Sequence, residues 1–563
     1  MDSINIESFY KAFPTLSHKR NRFPFEKEIN FDLKMGQIKP IAAIPVVPGQ
    51  TYHLDLATVL RVAPLSNPPM DSATFKAFAF YQANRNTWDN YQYWFGEKKY
   101  PENPEKEPTY LVPKITAPEE GFAANGFFDN IGVVPGVPGI KIDAYLSRMD
   151  RQIYNNYFRN QSLENALEVS TGDEDDEYTA DLDTLRYICR PRDFFAQALP
   201  TQSGAEAVEI PLGSSAPVIF NNSAPDTNGG NNSTVSKNSL SKIGYYNAEG
   251  NIISTGAGHH LLLDGAGNSG YYQAGDGTAQ AQCFVSANAD LSKAIGAPLE
   301  GLYQAIAYNT LNYITSRSGN RYFEQISNIY GCVNPDQVLR LPEFLGSVTK
   351  RIDFDTITQT SAAANEPTQL GNRAANGYME QYNGIISKSF GEFGWIIIYG
   401  VVTYMPKYQQ GVPKLMQTED PLELFNPLFN LMGDEAIYES EVYAQAPTVL
   451  NEEGNPANDT VWGYGKRNSR ILYPISEIHG EQRSSYPQSL DANHFAENYT
   501  NAPGLNKQWD KISDEGFKRA LTVQDEVQFL GNALITGVQD IEIPMNPIPS
   551  PIPDVLLDQN NRM

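Results

Sequence analysis

The 563-residue chain is poor in cysteine, in basic residues and in long apolar runs. Its three cysteines, Cys189, Cys283 and Cys332, are widely spaced and odd in number. They form no disulfide framework and no CxxC metal pattern. Buried, reduced thiols are the simplest expectation. Lys and Arg number 42 against 66 Asp and Glu, a net charge of −24. A chain that acidic is not held on nucleic acid or an anionic membrane by its overall charge. The longest apolar run, Trp395–Met405, is interrupted by Gly400 and Thr403. It falls well short of the ~20 residues that span a bilayer and suits a buried strand. The first residues, MDSINIESFYK, are acidic and polar, unlike a secretory signal. These features predict a protein that does not insert into membranes.

Catalytic signatures are scarce as well. No G-x-S-x-G, HExxH or Walker loop occurs. Gly265-Ala-Gly267-Asn-Ser-Gly270 has GxGxxG spacing, but more glycine-rich sequence follows it instead of a helix, so it reads as a loop. His259-His260 has no Cys or carboxylate at zinc-ligand spacing, and adjacent strand residues point to opposite faces. The acidic run Asp173–Glu177, with Asp181 and Asp183, lacks the Gly and Glu of an EF-hand loop and reads as a solvated loop. The six histidines, at 18, 53, 259, 260, 479 and 494, show no partner pattern. No cofactor, metal or catalytic residue is called for, and no enzyme.

Apolar residues make up 41% of the chain, enough for a large core. Short strand-like runs dominate. Residues 38–62 read as two strands broken by Pro45, Pro48 and Gly49. Residues 73–83 alternate with apolar side chains on both faces, which predicts a strand covered on both sides. Further strands are predicted at 207–212, 350–357, 393–404 and 470–476. Helical spacing occurs over 139–160, after Pro138, and over 298–316. Two helices in a mostly β chain predict a barrel or sandwich with helices on long inter-strand excursions.

Two segments differ in composition. Residues 213–282 hold 12 Gly, 9 Asn and 9 Ser and only six charged residues, which is turn chemistry. Short apolar runs interrupt it: Val218–Phe220, Tyr245-Tyr246, Ile252-Ile253, Leu261–Leu263 and Tyr271-Tyr272. The tail carries Pro544, Pro547, Pro549, Pro551 and Pro553. Proline fixes φ and removes donors, so 541–563 reads as an extended arm, with Ile543 and Ile548 as anchors on another surface. One basic cluster stands out, Lys19, Arg20 and Arg22, with no acid between residues 11 and 25. Beside Phe23 and Phe25 it could meet phosphates and stack on bases. The other readings are a solvated arm or intersubunit ion pairs.

Asn84-Arg85-Asn-Thr-Trp88-Asp89-Asn90-Tyr-Gln-Tyr-Trp-Phe-Gly96-Glu97 resembles a stretch of the major capsid proteins of microviruses, small icosahedral phages with circular single-stranded DNA. So do Arg151–Asn160, Arg192–Pro200, Ile210-Pro211-Leu212 and Arg340–Gly346. Nearer the C-terminus, Tyr408–Gly411, Trp462–Arg467 running on to Arg470, Tyr473-Pro474, Gly480-Glu481 and Arg483-Ser484, and Ser489–Asp491 with His494 continue the series in family order. The resemblance is strongest to the gokushovirus-like branch.

This resemblance implies a mainly β fold: an eight-stranded viral jelly roll with long inter-strand insertions carrying a few helices. It divides the chain into an N-terminal arm (1–37), a jelly-roll domain (38–540) with insertions at about 85–190 and 213–340, and a Pro-rich C-terminal arm (541–563). It implies a T=1 shell of sixty copies around the genome, assembled in the host cytoplasm. The implied partners are copies of the chain itself, packaged single-stranded DNA, a small basic DNA-condensing protein, internal scaffolding and DNA pilot proteins, and a host surface receptor. Residues 213–282 then become a threefold surface protrusion. Its receptor-facing candidates are Asp226, Asn228, Asn231, His259, His260, Tyr271 and Tyr272. The rival readings are a glycan-binding β-sandwich of lectin type, suited to the abundant Tyr and Asn, and a glycoside hydrolase needing two carboxylates in a cleft.

Overall fold

The computed structural model describes residues 20–99, 108–202, 299–319, 321–332, 340–360, 371, 373–419, 421–427, 433–522, 527–541 and 543. It also describes seven short strands between residues 218 and 289. By internal contacts the chain divides into a large unit, residues 1–206 with 312–563, and a small one, residues 207–311.

The large unit is built on eight antiparallel strands. They are β1 (Asn21–Leu33), β2 (Lys39–Val46), β3 (Thr51–Val62), β4 (Ala73–Ala83), β5 (Glu343–Thr358), β6 (Arg373–Ser389), β7 (Gly394–Tyr404) and β8 (Phe529–Ile541). Their order is β1-β8-β3-β6-β5-β4-β7-β2. Strand β5 divides its pairing. Its first part, Glu343–Ile352, pairs with β4, and its last part, Asp353–Thr358, pairs with β6. The order therefore folds into two four-stranded halves, β1-β8-β3-β6 and β2-β7-β4-β5, which is jelly-roll topology. A β-bulge interrupts the β4 pairing between Phe344 and Gly346, and an added Cβ at Gly346 would lie 2.4 Å from the Ile385 carbonyl oxygen. No side chain fits there.

The core follows from side-chain alternation. In β3, Tyr52, Leu54, Leu56, Leu60 and Val62 point inward and are buried, while His53 and Arg61 are exposed. They meet Phe75, Ile352, Met379, Ile396, Ile398, Val402, Phe529 and Ile535 between the two sheets. The apolar run of β7 is buried almost throughout, as its unbroken sequence predicts. Both faces of β4 and β7 are covered. Phe80, Ile397, Tyr399 and Val401 point away from the barrel core and pack against Met149, Ile153, Tyr154 and Phe158.

Several expectations are corrected. The N-terminal arm assigned to 1–37 does not hold over its described part: Asn21–Leu33 is the edge strand β1, paired along its whole length with β8. The helix expected over 139–160 starts late. Lys141–Asp143 forms a two-stranded ladder with Lys114–Thr116. Helix α1 then runs Tyr145–Ile153 and ends in a π turn, Tyr154–Phe158. Residues 470–476 are not a strand. Asn468 is left-handed (φ 63°) and Ser469–Leu472 is one helical turn, because the Arg470 side chain is committed inward. Helix α2, Leu299–Ser318, matches its spacing and is followed by α3, Tyr322–Tyr330. The long excursions lie in two connections, 84–342 between β4 and β5 and 405–528 between β7 and β8. The strand expected at 207–212 lies outside the described residues.

In the small unit, His260–Leu263, Gly270–Gln273 and Gln280–Cys283 form a three-stranded antiparallel sheet. Val218–Ile219 pairs with Asn288–Ala289, and Tyr245–Tyr246 with Ile252–Ser254.

Candidate functional site

Arg20 and Arg22 of the basic cluster lie where β1 begins and β8 ends. β1 and β8 pair from Asn21↔Ile541 to Leu33↔Phe529. Arg20 Nε donates to Asp540 Oδ1 at 3.2 Å, and its Nη2 donates to the Gly49 carbonyl and to Thr51 Oγ1. Asn21 Nδ2 donates to the Ile543 carbonyl at 2.7 Å. Arg20 is thus an internal tie. Arg22 lies opposite Asp540 on β1 and is exposed. The expected joint use of charge and aromatic rings does not hold on this strand. Strand alternation puts Arg22, Pro24 and Glu26 on the solvent side and Phe23 and Phe25 on the other. Phe25 meets Tyr52 edge-to-face at 5.6 Å in the core. Ile543 is half exposed. Lys19 and Ile548 lie outside the described residues.

The two outer edges of the strand order, β1 and β2, approach each other. Lys27 of β1 donates Nζ to the Ala43 carbonyl of β2 at 3.2 Å. Burial pushes the Lys27 ammonium below its ordinary pKa. At the turn between these strands Gly36 adopts φ +75°, and an added Cβ would lie 2.7 Å from the Ile512 carbonyl oxygen.

The acidic run lies in a largely exposed loop, as expected, but several of its carboxylates also bond inward. Trp88, fully buried, donates its indole N–H to Asp173 at 2.6 Å, and Asn90 donates to the same carboxylate. Asp175 accepts from the Lys114 backbone N–H at 2.8 Å. Asp176 takes two bonds from Arg148, Nη2 at 2.7 Å and Nε at 2.9 Å. The same guanidinium donates to the carbonyls of Thr87, Gly172 and Glu174. Asp183 accepts from the backbone N–H of Ala123 and Phe128. These bonds hold the first part of the 84–342 excursion together, with Trp88, Phe128 and Arg148 as buried donors.

A second ionic cluster has no sequence signature. Glu164 accepts from Lys507 at 2.6 Å, Lys511 at 3.0 Å and the Tyr154 hydroxyl at 2.8 Å. Burial raises the carboxyl, but the two lysines and Tyr154 outweigh it and hold Glu164 below the usual range. The half-buried Cys189 thiol donates to the Phe158 carbonyl at 3.1 Å, and burial pushes it up to about 12. It stays a protonated thiol. Cys332 is exposed, contrary to the expectation of buried thiols. Farther along, buried Arg190 pairs with Glu497 at 2.5 Å and lies 4.6 Å from the Trp509 ring centre. Arg470 pairs with Glu435 and, at 2.6 Å, with Glu441. The pattern is uniform: cations tie the two long excursions internally and to each other, with no open reactive arrangement among them. Among the described residues no three His, Cys, Asp or Glu side chains are grouped to hold a metal ion. No described helix is long and apolar enough to cross a membrane.

Of the protrusion residues, His260 pairs by backbone with Gln273, Tyr272 with Leu261 and Ala281, and Tyr271 with Leu262 and Gln282. Asp226, Asn228, Asn231 and His259, like the Gly265–Asn268 stretch and most of the Pro-rich tail, lie outside the described residues.

The two facing sheets, with long connections pinned by internal ion pairs, define a structural protein of the viral jelly-roll class. The comparisons make this specific. The family model "Capsid protein (F protein)" matches residues 12–545, so the chain belongs to the phage F capsid protein family. Capsid protein VP1 of Bdellovibrio phage phiMH2K is 30% identical, covering 93% of both chains. Capsid protein VP1 of Spiroplasma virus 4 is 29% identical over 89% of this chain and 90% of its own. Capsid protein VP1 of Chlamydia phage 1 is 25% identical over 93% and 94%. The expectation of a microvirus capsid protein of the gokushovirus-like branch is borne out, and the chain is a structural protein of the virion. The lectin-like reading gives way to this membership.

Proposed function

We infer that the chain builds a T=1 shell of sixty copies around a circular single-stranded DNA genome, by a structural role that needs no catalysis. The observation that carries this reading is the split pairing of β5, which turns one strand order into two facing sheets. Such a sandwich is rigid, and its long connections are free to meet neighbouring copies. Electron microscopy of the purified chain tests it. Uniform small icosahedral particles are expected; a chain that stays monomeric at all concentrations overturns the reading.

Two finer points belong to the same proposal. A net charge of −24 per chain prevents the shell from condensing DNA by its overall field. A small basic protein therefore neutralises the packaged genome, with local help from Lys19 and Arg22, while internal scaffolding and DNA pilot proteins assist assembly and delivery. The separate compact unit at 207–311 supports a surface protrusion gathered around a threefold axis and used for host attachment. Its strands are only two to four residues long, too short to be stable alone. Packing of three copies supplies the missing burial. Replacing 214–281 by a short Gly-Ser linker should leave shells closed but unable to adsorb to the host. Failure to close, or adsorption like wild type, removes the protrusion from the account.

A further inference from the structure

Residues 412–419 with 421–425, and residues 469–473, lie far apart in the 405–528 excursion but adjoin one short ribbon. That ribbon is the antiparallel pair Asp434–Tyr438 and Val461–Lys466, with the turn Glu439–Val442 directly after its first strand. Val412 N–H donates to the Ser440 carbonyl at 2.9 Å, and Lys414 Nζ stands 4.7 Å from the Tyr438 ring centre. From the other side Arg470 donates to the Ala436 carbonyl at 2.8 Å and to Glu441. Glu423 of the first segment acts on the charge of Arg470 in the second, and Lys414 acts on Glu441 of the ribbon.

This place exposes large apolar side chains. Met416 is 79% exposed, Leu472 62%, and Leu415, Phe425 and Ile471 54% each, with Tyr473 at 46%. Scattered single apolar residues are normal on a surface; a group of this kind on two adjoining segments is not. Two cations bordering it are neutralised within the chain, Lys414 by Glu423 at 2.9 Å and Arg470 by Glu435 and Glu441. A phosphate backbone would find little charge to pair with here. An apolar partner would meet few unpaired charges to desolvate.

We propose that this ribbon and its two flanking segments form a contact surface between copies of the chain, with Met416 and Leu472 as its apolar anchors. The proposal rests on the shell-forming reading and locates part of its assembly surface. The occupant is a second copy. The exposed side chains together offer on the order of the ~800 Å² per partner that a standard protein interface buries. A few centrally packed residues carry most of an interface's binding energy, and a carboxylate placed among them is left buried and unpaired, so Asp at either anchor should be felt strongly.

The test uses the full chain and the variants Met416→Asp and Leu472→Asp. Both positions are exposed, so monomers should melt within a few degrees of wild type. Sedimentation should show association weakened at least tenfold in each. Met416→Leu and Leu472→Met, which keep the apolar surface, should associate like wild type. Hydrogen exchange supplies a measurement without substitution: backbone amides at 412–425 and 469–473 should gain protection when wild-type chains associate. Wild-type association by the Asp variants, or unchanged exchange in both segments, overturns the proposal and leaves the capsid reading intact. Wild-type chains that associate through this surface but never close shells would sink the shell reading alone.

Discussion

Arg20 Nε lies 3.2 Å from Asp540 Oδ1, joining residues 520 positions apart in sequence. The contact fastens the first residue before β1 to the last turns of β8, and Asn21 repeats the tie at Ile543. Arg20 and Asn21 therefore lie beside Asp540 and Ile543 at this corner of the jelly roll. The pair is partly exposed, so it contributes at most about 1 kcal/mol. Arg20→Ala should fray this corner and raise hydrogen exchange at Asn21–Phe23 and Gln539–Ile541 several-fold. DNA content of assembled particles should stay as in wild type, whereas Arg22→Ala should lower it. Equal loss of DNA in the two variants would show that the tie is not the main duty of Arg20.

Arg148 is almost fully buried and makes bonds to four separate places in the excursion after β4. Arg148→Met leaves Asp176 and three carbonyls without their donor. Removing one partner of a buried pair costs about 3–5 kcal/mol. The double variant Arg148→Met/Asp176→Leu should regain part of that loss, because no lone carboxylate remains. Urea unfolding of the three proteins decides the matter. A single-variant cost below about 1 kcal/mol would mean that the acidic run does not depend on Arg148.

The jelly roll was legible because its signals are local. The buried run of β7, the two-faced pattern of β4 and the alternation of β3 each specify a strand whatever their neighbours are. Family blocks then supplied the strand count. The ionic ties were not legible, because Asp176 finds Arg148 across a turn that periodicity does not encode. One signal was available: Arg148 stands beside Tyr145 and Met149 on the apolar side of α1, where a charge needs a partner. Residues 21–33 were assigned to an arm because a β-edge strand with charged outer positions has the composition of an exposed segment. Glu164 gave no signal, since its two lysines come from residues 507 and 511.

Truncation separates the clasp from the tail beyond it. Cutting after Ile543 keeps the Asn21–Ile543 bond; cutting after Asp540 removes it together with Ile541, the last residue paired in β8. The shorter chain should show faster exchange along the outer end of β1 as a monomer. Both truncations should weaken assembly if residues beyond 543 run along a neighbouring copy. Shells of the chain ending at Ile543 that melt at the wild-type temperature would show that the tail is no clasp.

His494 makes stability depend on pH. Its ring is buried; Nδ1 accepts the Ala496 N–H at 3.2 Å and Nε2 donates to the Gln482 carbonyl at 2.6 Å. Burial lowers its pKa below the ordinary 6.5, Arg519 adds to this, and the Gln482 carbonyl, Asp71 and Asp491 only partly oppose it. Protonation would place a second N–H against the Ala496 N–H, so the folded state disfavours the cation. The unfolded chain takes up this proton first as pH falls. The contribution of neutral His494 is therefore complete above about 6.5 and is lost progressively as pH falls from there toward the lowered folded value. His494→Gln lacks this titration. The stability gap between wild type and variant should narrow between about pH 7.5 and 5.5, measured by thermal unfolding at fixed ionic strength. A gap that stays constant over that window would mean that His494 is not the titrating group.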